Sequence, residues 1–126
     1  LPIWIVNIVS GLGNRPFPRF CAYGASKAGL IQMTRSLSLE LKPVNIQVNA
    51  VDPGVMDTDM QKTALSYGRE QLGDEVFEQF RKFRDQGQLK DPDEVVPLVV
   101  FLASAAADHV TGQVGTLKEY EKFFSR

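Results

Sequence analysis

The chain has 126 residues, of which 44% are hydrophobic and 23% charged, which is enough for one domain with its own core. Its 14 basic and 15 acidic residues leave a net charge of −1, so no excess of positive charge favours nucleic acid or an anionic membrane as a partner. No apolar run approaches the roughly 20 residues of a membrane span. The single cysteine, Cys21, cannot form a disulfide within the chain and suits a reducing compartment, so we expect a cytoplasmic protein.

The first predicted element is a strand that ends at Ser10. Residues 3–9 form a continuous apolar run around Asn7, which is typical of a strand buried on both faces of a parallel sheet. Open α/β sheets bind their ligands at the carboxyl ends of their strands, so we expect the Ser10 hydroxyl to lie at a ligand site. The glycines and prolines of residues 11–18 predict a loop after this strand.

Tyr23 and Lys27 lie four residues apart at the start of a predicted helix. Positions i and i+4 share one helix face, so both side chains can point at the pocket that Ser10 lines. A tyrosine phenol is a poor acid–base catalyst near neutral pH unless a nearby positive charge, here the Lys27 ammonium, stabilises its phenolate. A serine hydroxyl can hold a reacting carbonyl oxygen as charge develops there. The spacing of Tyr23 and Lys27 alone is common by chance, but the preceding Ser10 favours a site for acid–base chemistry at a carbonyl.

The helix predicted over residues 23–41 has two notable faces. Its apolar stripe contains Leu30, Ile31, Thr34, Leu37 and Leu41. A set of small residues permits another helix to approach closely: Ala22, Ala25, Ala28 and Gly29. Such residues serve either a subunit contact or ordinary core packing, and the sequence leaves both open. Pro43 ends the helix.

A second strand is predicted over residues 44–51, and the turn Asp52-Pro53-Gly54-Val55 follows it. A long excursion over residues 56–90 comes next. Within it, four apolar residues recur at helical spacing: Val76, Phe77, Phe80 and Phe83. The basic and aromatic residues 80–84 are compatible with a nucleic-acid contact, but their acidic neighbours favour a solvated amphipathic face.

Asp91 begins the last predicted helix as its N-cap residue, with Pro92 at the first position and a glutamate three residues after the cap. We expect this helix to reach about Ala105. Residues 112–117 predict the last strand, and a charged amphipathic tail follows over residues 118–124.

Several motifs together resemble the short-chain dehydrogenase/reductase family. They are Ser10, the Tyr-x-x-x-Lys of Tyr23 and Lys27, the Asn-Ala-Val-x-Pro-Gly of residues 49–54 and the Pro-Gly-x-x-x-Thr that ends at Thr58. The resemblance covers nearly the whole chain, but only the second half of the family's domain. It implies an α/β fold, the C-terminal half of a Rossmann-type doubly wound parallel sheet. Residues 1–126 would be one partial domain, and residues 56–90 a mobile lid over the substrate.

The resemblance also implies an activity, that of an NAD(P)-dependent oxidoreductase transferring hydride between a nicotinamide cofactor and a carbonyl or secondary alcohol. Tyr23 would exchange the proton, Lys27 would bind the nicotinamide ribose and assist Tyr23, and Ser10 would orient the carbonyl. The carboxamide end of the cofactor would be held by Pro53, Gly54, Val55 and Thr58. Tyr23 and Lys27 would therefore also contact the cofactor.

Finer expectations follow from the same resemblance. Residues 56–61 loosely resemble reductases of the sepiapterin and benzil type, which favours NADP over NAD and carbonyl reduction. The methionines and aromatic residues of the lid suggest an apolar or aromatic substrate, although most of them could equally pack the lid onto its own domain. The helix over residues 23–41 belongs to a subunit interface in the family, so a homo-oligomer, a dimer or tetramer, is implied.

The glycine-rich turn with which the family cradles the cofactor pyrophosphate is not found. Gly11 and Gly13 do not replace it, because prolines follow where a helix would begin. The chain also begins at Leu1 within a predicted strand, so we expect it to be the C-terminal half of a longer enzyme, inactive and poorly soluble when made alone. His109 is the only histidine and no cluster has metal-ligand spacing, so no metal site is expected.

Two other readings stay open. One is a non-catalytic fragment or interaction module that lacks the nucleotide-binding half. The other is an extended-type epimerase or dehydratase, which also uses Tyr-x-x-x-Lys; the sequence of residues 49–54 argues against it.

Overall fold

A computed structural model describes residues 2–124, which form a parallel sheet with helices packed around it. The strands are β1 (Ile3–Ile8), β2 (Ile46–Asp52) and β3 (Val114–Thr116), in the spatial order β1-β2-β3. The α-helices are α1 (Cys21–Leu41), α2 (Asp59–Ser66), α3 (Gly68–Leu72), α4 (Asp74–Asp85), α5 (Val96–Leu102) and α6 (Leu117–Phe124). Short 3₁₀ turns lie at Gly11–Gly13, Lys42–Val44, Pro92–Glu94 and Ala105–Ala107.

The strands pair in parallel, so their carboxyl ends share one edge of the sheet. β1 runs beside β2 from the Ile3–Ile46 pair to the Ile8–Val51 pair, and β3 joins the end of β2. Parallel neighbours need a crossover connection, which α1 provides between β1 and β2. The expected α/β class, a partial Rossmann-type sheet, is confirmed.

The burial of β1 differs from the expectation. We expected a strand buried on both faces, but its central residues are only half-buried, and Ile3 and Ile8 are 50% and 42% exposed. β1 is an edge strand: among residues 2–124 it pairs only with β2. An apolar sequence therefore lies at an edge with which no other described strand pairs.

Helix α1 begins two residues before the predicted start and ends at Leu41 as expected. Ile31 and Thr34 are buried on the predicted apolar stripe. The Thr34 hydroxyl donates to the Leu30 carbonyl at 2.8 Å and accepts from Asn7 Nδ2 at 3.0 Å, which ties the helix to β1. The small residues of α1 are exposed: Ala22, Ala25, Ala28 and Gly29. Of the two roles expected for them, a subunit contact or core packing, core packing is therefore wrong within residues 2–124.

The 56–90 excursion is helical along most of its length and is closed at its base. It contains α2, α3 and α4. Gly68, the first residue of α3, and Gly73, between α3 and α4, have positive φ angles of 70° and 80°. Its two ends meet in a short parallel bridge, since the Asp57 amide donates to the Lys90 carbonyl and the Lys90 amide to the Val55 carbonyl, each at 2.9 Å. The segment therefore leaves and rejoins the sheet at one point.

The helix predicted to begin at Asp91 starts at the expected cap but is shorter than predicted. Asp91 forms the capping box, since its carboxylate accepts from the Asp93 amide at 2.9 Å and the Glu94 carboxylate accepts from the Asp91 amide at 3.3 Å. Only a 3₁₀ turn follows before α5, because Pro97 lacks an amide hydrogen and its ring would clash with a carbonyl one turn earlier. The helix ends at Leu102 and does not reach the expected Ala105.

The C-terminal tail forms α6 and closes the main core. Its Tyr120 is only 1% exposed and packs in a cluster with Val51, Val95, Leu98, Leu102, Ala107 and Val110. The Tyr120 hydroxyl lies 2.8 Å from the Ala50 carbonyl and 2.9 Å from the Gln113 carbonyl, at the junction of β2 and β3. Burial raises the pKa of Tyr120, so this hydroxyl keeps its proton as a donor.

Candidate active site

A cleft of about 430 Å³ opens at the carboxyl edge of the sheet. Its walls come from the end of β1, the first turns of α1, the loop after β2, and helices α2 and α4. The structure places every predicted site residue on its lining: Ser10, Tyr23, Lys27, Pro53, Gly54, Val55 and Thr58. Residues that are far apart in the sequence therefore share one cavity.

Ser10 follows β1 in extended conformation and caps the 3₁₀ turn Gly11–Gly13. Its Oγ accepts a hydrogen bond from the Leu12 amide at 3.2 Å. The Val9 amide donates to the Val51 carbonyl at 2.9 Å, so the strand pairing holds the backbone just before Ser10. The hydroxyl hydrogen of Ser10 donates to no acceptor within residues 2–124, which leaves it available to a ligand oxygen.

Lys27 is fixed beside Tyr23 by the backbone of β1. Its Nζ donates to the Ile8 carbonyl at 2.9 Å and lies 5.7 Å from the centroid of the Tyr23 ring. Because that bond uses one of three ammonium hydrogens, two remain for other partners.

Gly13 allows the turn after Ser10 to touch α1, a role that sequence reasoning missed. A Cβ at this position would lie 2.8 Å from Ile31 Cδ1 and 2.9 Å from backbone atoms of Lys27 and Ala28. Only glycine fits such an approach without movement. The signal was present in the sequence, as a glycine soon after the strand end, but its contact with α1 depends on the folded structure.

The loop after β2 presents backbone groups and one hydroxyl to the cleft. Gly54 has a φ of 76°, and its amide donates to Asp52 Oδ1 at 3.0 Å. Thr58 caps α2, since its Oγ1 accepts from the Gln61 amide at 3.4 Å, which leaves the hydroxyl hydrogen free to donate. The Val55 amide donates to no acceptor in the described part of the chain.

Aromatic rings form one wall of the cleft. Phe17 and Phe20 come from the loop before α1, and Phe80 and Phe83 come from α4. Phe80 and Phe83 were recognised by their helical spacing, whereas Phe17 and Phe20 were missed because they lie in a loop without periodicity. On the outer side of α4, Arg81 pairs with Glu78 and Asp85, consistent with the amphipathic interpretation of residues 80–84.

A second, larger cleft of about 490 Å³ contains none of the predicted site residues. It lies between the Leu12–Phe17 loop and the exposed small residues of α1, and it includes Cys21, which is exposed. Within residues 2–124 no group of three or more His, Cys, Asp or Glu side chains is placed to hold a metal ion. No helix in that range is long and apolar enough to cross a membrane.

Comparison with known proteins assigns the chain to a family. A family model described as enoyl-(acyl carrier protein) reductase matches residues 4–117. The 3-oxoacyl-[acyl-carrier-protein] reductase FabG of Aquifex aeolicus is 40% identical over 110 residues, which cover 87% of this chain and 41% of that protein. The chain belongs to the short-chain dehydrogenase/reductase family, as the motifs of its sequence indicated.

Other relatives and solved structures agree with this assignment. The benzil reductase ((S)-benzoin forming) of Bacillus subtilis is 33% identical over 118 residues, covering 92% of this chain and 47% of that protein. The crystal structure of levodione reductase superposes with a TM-score of 0.75 at 25% identity, covering 90% of this chain and 44% of that one. The crystal structure of a 3-oxoacyl-[acyl-carrier protein] reductase from Brucella melitensis with bound NAD superposes with a TM-score of 0.63 at 30% identity. The match covers 90% of this chain and 38% of that one. The chain thus spans less than half the length of each of these relatives.

Proposed function

We propose that the protein is an NAD(P)-dependent oxidoreductase that transfers hydride between a nicotinamide cofactor and a carbonyl or secondary alcohol. The observation that carries the proposal is the single cleft in which Ser10, Tyr23 and Lys27 meet the loop of residues 53–58. Membership of a family whose matched relatives are named as reductases and dehydrogenases supports it.

In this proposal Tyr23 gives its phenolic proton to the substrate oxygen as that oxygen becomes an alkoxide. The Lys27 ammonium, held by the Ile8 carbonyl, stabilises the phenolate left behind. Ser10 donates its free hydroxyl hydrogen to the same substrate oxygen and so orients the carbonyl. Oxidation of an alcohol uses the same groups in reverse, with Tyr23 accepting the proton.

The donors of the cleft suit the nicotinamide end of the cofactor. The free Val55 amide and the Thr58 hydroxyl are donors for a carboxamide oxygen, and the two remaining hydrogens of Lys27 are donors for ribose hydroxyls. Gly54 and Pro53 shape the backbone that carries these donors. When bound, the nicotinamide supplies or accepts the hydride, and the protein supplies position and electrostatics.

Three finer parts of the proposal rest on the resemblance. The sequence of residues 56–61 favours NADP over NAD as the cofactor. Residues 56–90, whose two ends meet in the Met56–Lys90 bridge, are assigned the role of a lid over the substrate. A homo-oligomer is favoured by the exposed small residues of α1, which would let a helix of a second subunit approach closely. A cytoplasmic location is favoured by the single cysteine.

The direct test replaces Tyr23 in the protein at its full natural length. Tyr23→Phe removes only the ionisable hydroxyl, so we expect ketone-dependent oxidation of NADPH or NADH to fall by at least about a hundredfold, the usual range for losing a general acid. Tyr67→Phe is the matched control, because Tyr67 is 53% exposed and outside the cleft. Cofactor binding and thermal stability should be retained in both.

The same assay distinguishes the non-catalytic alternative from the proposed function. Binding of neither cofactor, together with no turnover, would favour a non-catalytic interaction module. Turnover that survives Tyr23→Phe unchanged would contradict the assignment of Tyr23.

A further inference from the structure

We propose that the substrate is a ketone whose carbonyl is attached directly to an aromatic ring. This inference rests on the proposed function and adds its substrate class. Its basis is a series of ring contacts that begins on α4 and ends on Tyr23, named here the aromatic wall: Phe17, Phe20 and Phe80, together with Phe83 on the same helix.

The rings of the aromatic wall meet in edge-to-face or tilted geometry. Phe20 lies 6.1 Å from Tyr23 at an interplanar angle of 86°, and 5.7 Å from Phe80 at 52°, measured between ring centroids. Phe17 completes the wall at 5.5 Å from Phe20 and 6.4 Å from Phe80. These separations lie in the range that aromatic pairs prefer. All these rings also line the cleft and are half-buried, so they retain surface for a ligand.

The aromatic wall shares one cleft with Ser10 and Tyr23. In the proposed function these two residues hold the carbonyl oxygen, and the loop of residues 53–58 is assigned to the cofactor. Phe20 contacts the Tyr23 ring and Phe80 contacts Phe20, so the wall is the apolar lining that the cleft offers to a group attached to that carbonyl. A ring conjugated to the carbonyl is flat and can extend this edge-to-face series, whereas a saturated ring or linear chain gains only the burial of its surface.

The side chains of the aromatic wall are uncharged. The charged residues on the lining of the cleft are Arg15, Lys27 and Asp52. Arg15 and Asp52 lie near Gly11, because a Cβ there would be 3.8 Å from Arg15 Nη2 and 3.3 Å from Asp52 Oδ2. An uncharged aromatic substituent suits the rings of the wall.

A strained residue holds the two halves of the wall together. Arg19 lies between Phe17 and Phe20 with a φ of 71°, a left-handed conformation that is uncommon for a residue other than glycine. Its Nη1 donates to the Gln71 carbonyl at 3.2 Å, next to Gly73 at the start of α4. The loop that carries Phe17 and Phe20 is thus linked to the segment that leads into α4, the helix of Phe80.

The test compares three ketones of equal carbon number in the full-length protein with its cofactor: acetophenone, cyclohexyl methyl ketone and a linear methyl ketone. We expect kcat/KM for acetophenone to exceed both others by about tenfold, the factor that edge-to-face contacts supply. Phe20→Leu and Phe80→Leu, which keep the apolar character but remove the ring, should each reduce this preference to within about threefold. Phe124→Leu is the matched control, because Phe124 packs on Phe101 outside the cleft and should leave the preference unchanged.

The outcomes separate this inference from the proposed function. Turnover without a preference for acetophenone, or a preference that survives both Phe20→Leu and Phe80→Leu, would overturn the aromatic substrate and leave the oxidoreductase intact. If none of the ketones turns over, saturation-transfer NMR with acetophenone decides instead. A phenyl signal that weakens in Phe80→Leu but not in Phe124→Leu would support ring recognition, and equal signals in all variants would overturn it.

Discussion

Lys27 owes its position to a single backbone carbonyl. The bond from its Nζ to Ile8 places the ammonium at the end of β1, one helical turn from Tyr23. This link depends on how closely α1 approaches the turn after Ser10, which is set by Gly13. The candidate catalytic geometry therefore rests on a glycine that takes no part in the chemistry.

We expect Gly13→Ala to destabilise the protein and to reduce activity by displacing Lys27. The new methyl group would meet backbone atoms of α1 at 2.9 Å, and overpacking of this kind costs about 1–3 kcal/mol. Gly29→Ala on α1 is the comparison, made at a concentration where the chain is monomeric because Gly29 is among the residues assigned to a subunit contact; among residues 2–124 nothing lies within 4 Å of its Cβ position. That substitution should stabilise the helix by up to about 1 kcal/mol. Urea unfolding measures both, and equal free energies of unfolding for the two variants would contradict this account of Gly13.

At the scale of elements, α5 has no side-chain cap of its own and follows a 3₁₀ turn, Pro92–Glu94, that begins with a capping box. The helix has only seven residues, and Pro97 prevents it from continuing back through the preceding 3₁₀ turn. At the start of that turn, the Asp91 carboxylate accepts from the Asp93 amide and the Glu94 carboxylate accepts from the Asp91 amide. Leu98 and Leu102 on the helix are fully buried, so its position also sets the core beneath β2.

Asp91→Ala should lower the free energy of unfolding by about 1 kcal/mol, the usual cost of losing an N-cap. Asp93→Ala provides the comparison, because Asp93 is an exposed acidic residue in the same turn whose side chain accepts no capping bond. Its loss should cost about 0.5 kcal/mol or less, through the helix dipole alone. Chemical denaturation of the two variants checks the difference, and an Asp93→Ala cost equal to that of Asp91→Ala would argue against the box.

At the scale of the whole molecule, Tyr120 links the tail to the sheet and makes stability depend on alkaline pH. An unfolded tyrosine ionises near a pKa of about 10, whereas burial raises the pKa of Tyr120 in the folded protein. The unfolded chain then loses its proton first, so this contribution to stability is complete below about pH 10 and is lost as the pH rises toward the folded pKa. Tyr120→Phe should flatten the decline above pH 10, while Tyr67→Phe should not. An identical alkaline profile for wild type and Tyr120→Phe would contradict the prediction.

The free edge of β1 has a consequence for the chain made alone. Ile3 and Ile8 are exposed beside an edge that pairs with nothing else among residues 2–124. Such an edge promotes pairing between molecules. We therefore expect residues 1–126 expressed alone to self-associate and to show no turnover, as judged by light scattering and cofactor oxidation. A soluble, active monomer would refute this expectation.

Sequence reasoning reached those features that local pattern determines. Apolar runs and helical spacing predict the strands and α1, and the order of Ser10, Tyr23 and Lys27 predicts a shared pocket. The features it missed depend on contacts between distant segments. Gly13 against α1, Phe20 against Phe80, and Tyr120 against the Ala50 carbonyl each join residues that no periodicity relates. The small residues of α1 were ambiguous for the same reason.

The most direct test of the central claim follows the hydride itself. The full-length protein would be given acetophenone and cofactor that carries deuterium at the transferring carbon. We expect the wild-type protein to form a product with deuterium on its carbinol carbon, and Tyr23→Phe to form almost none of this product. Product that carries no deuterium there with cofactor labelled on either face, or labelled product formed equally well by Tyr23→Phe, would contradict it.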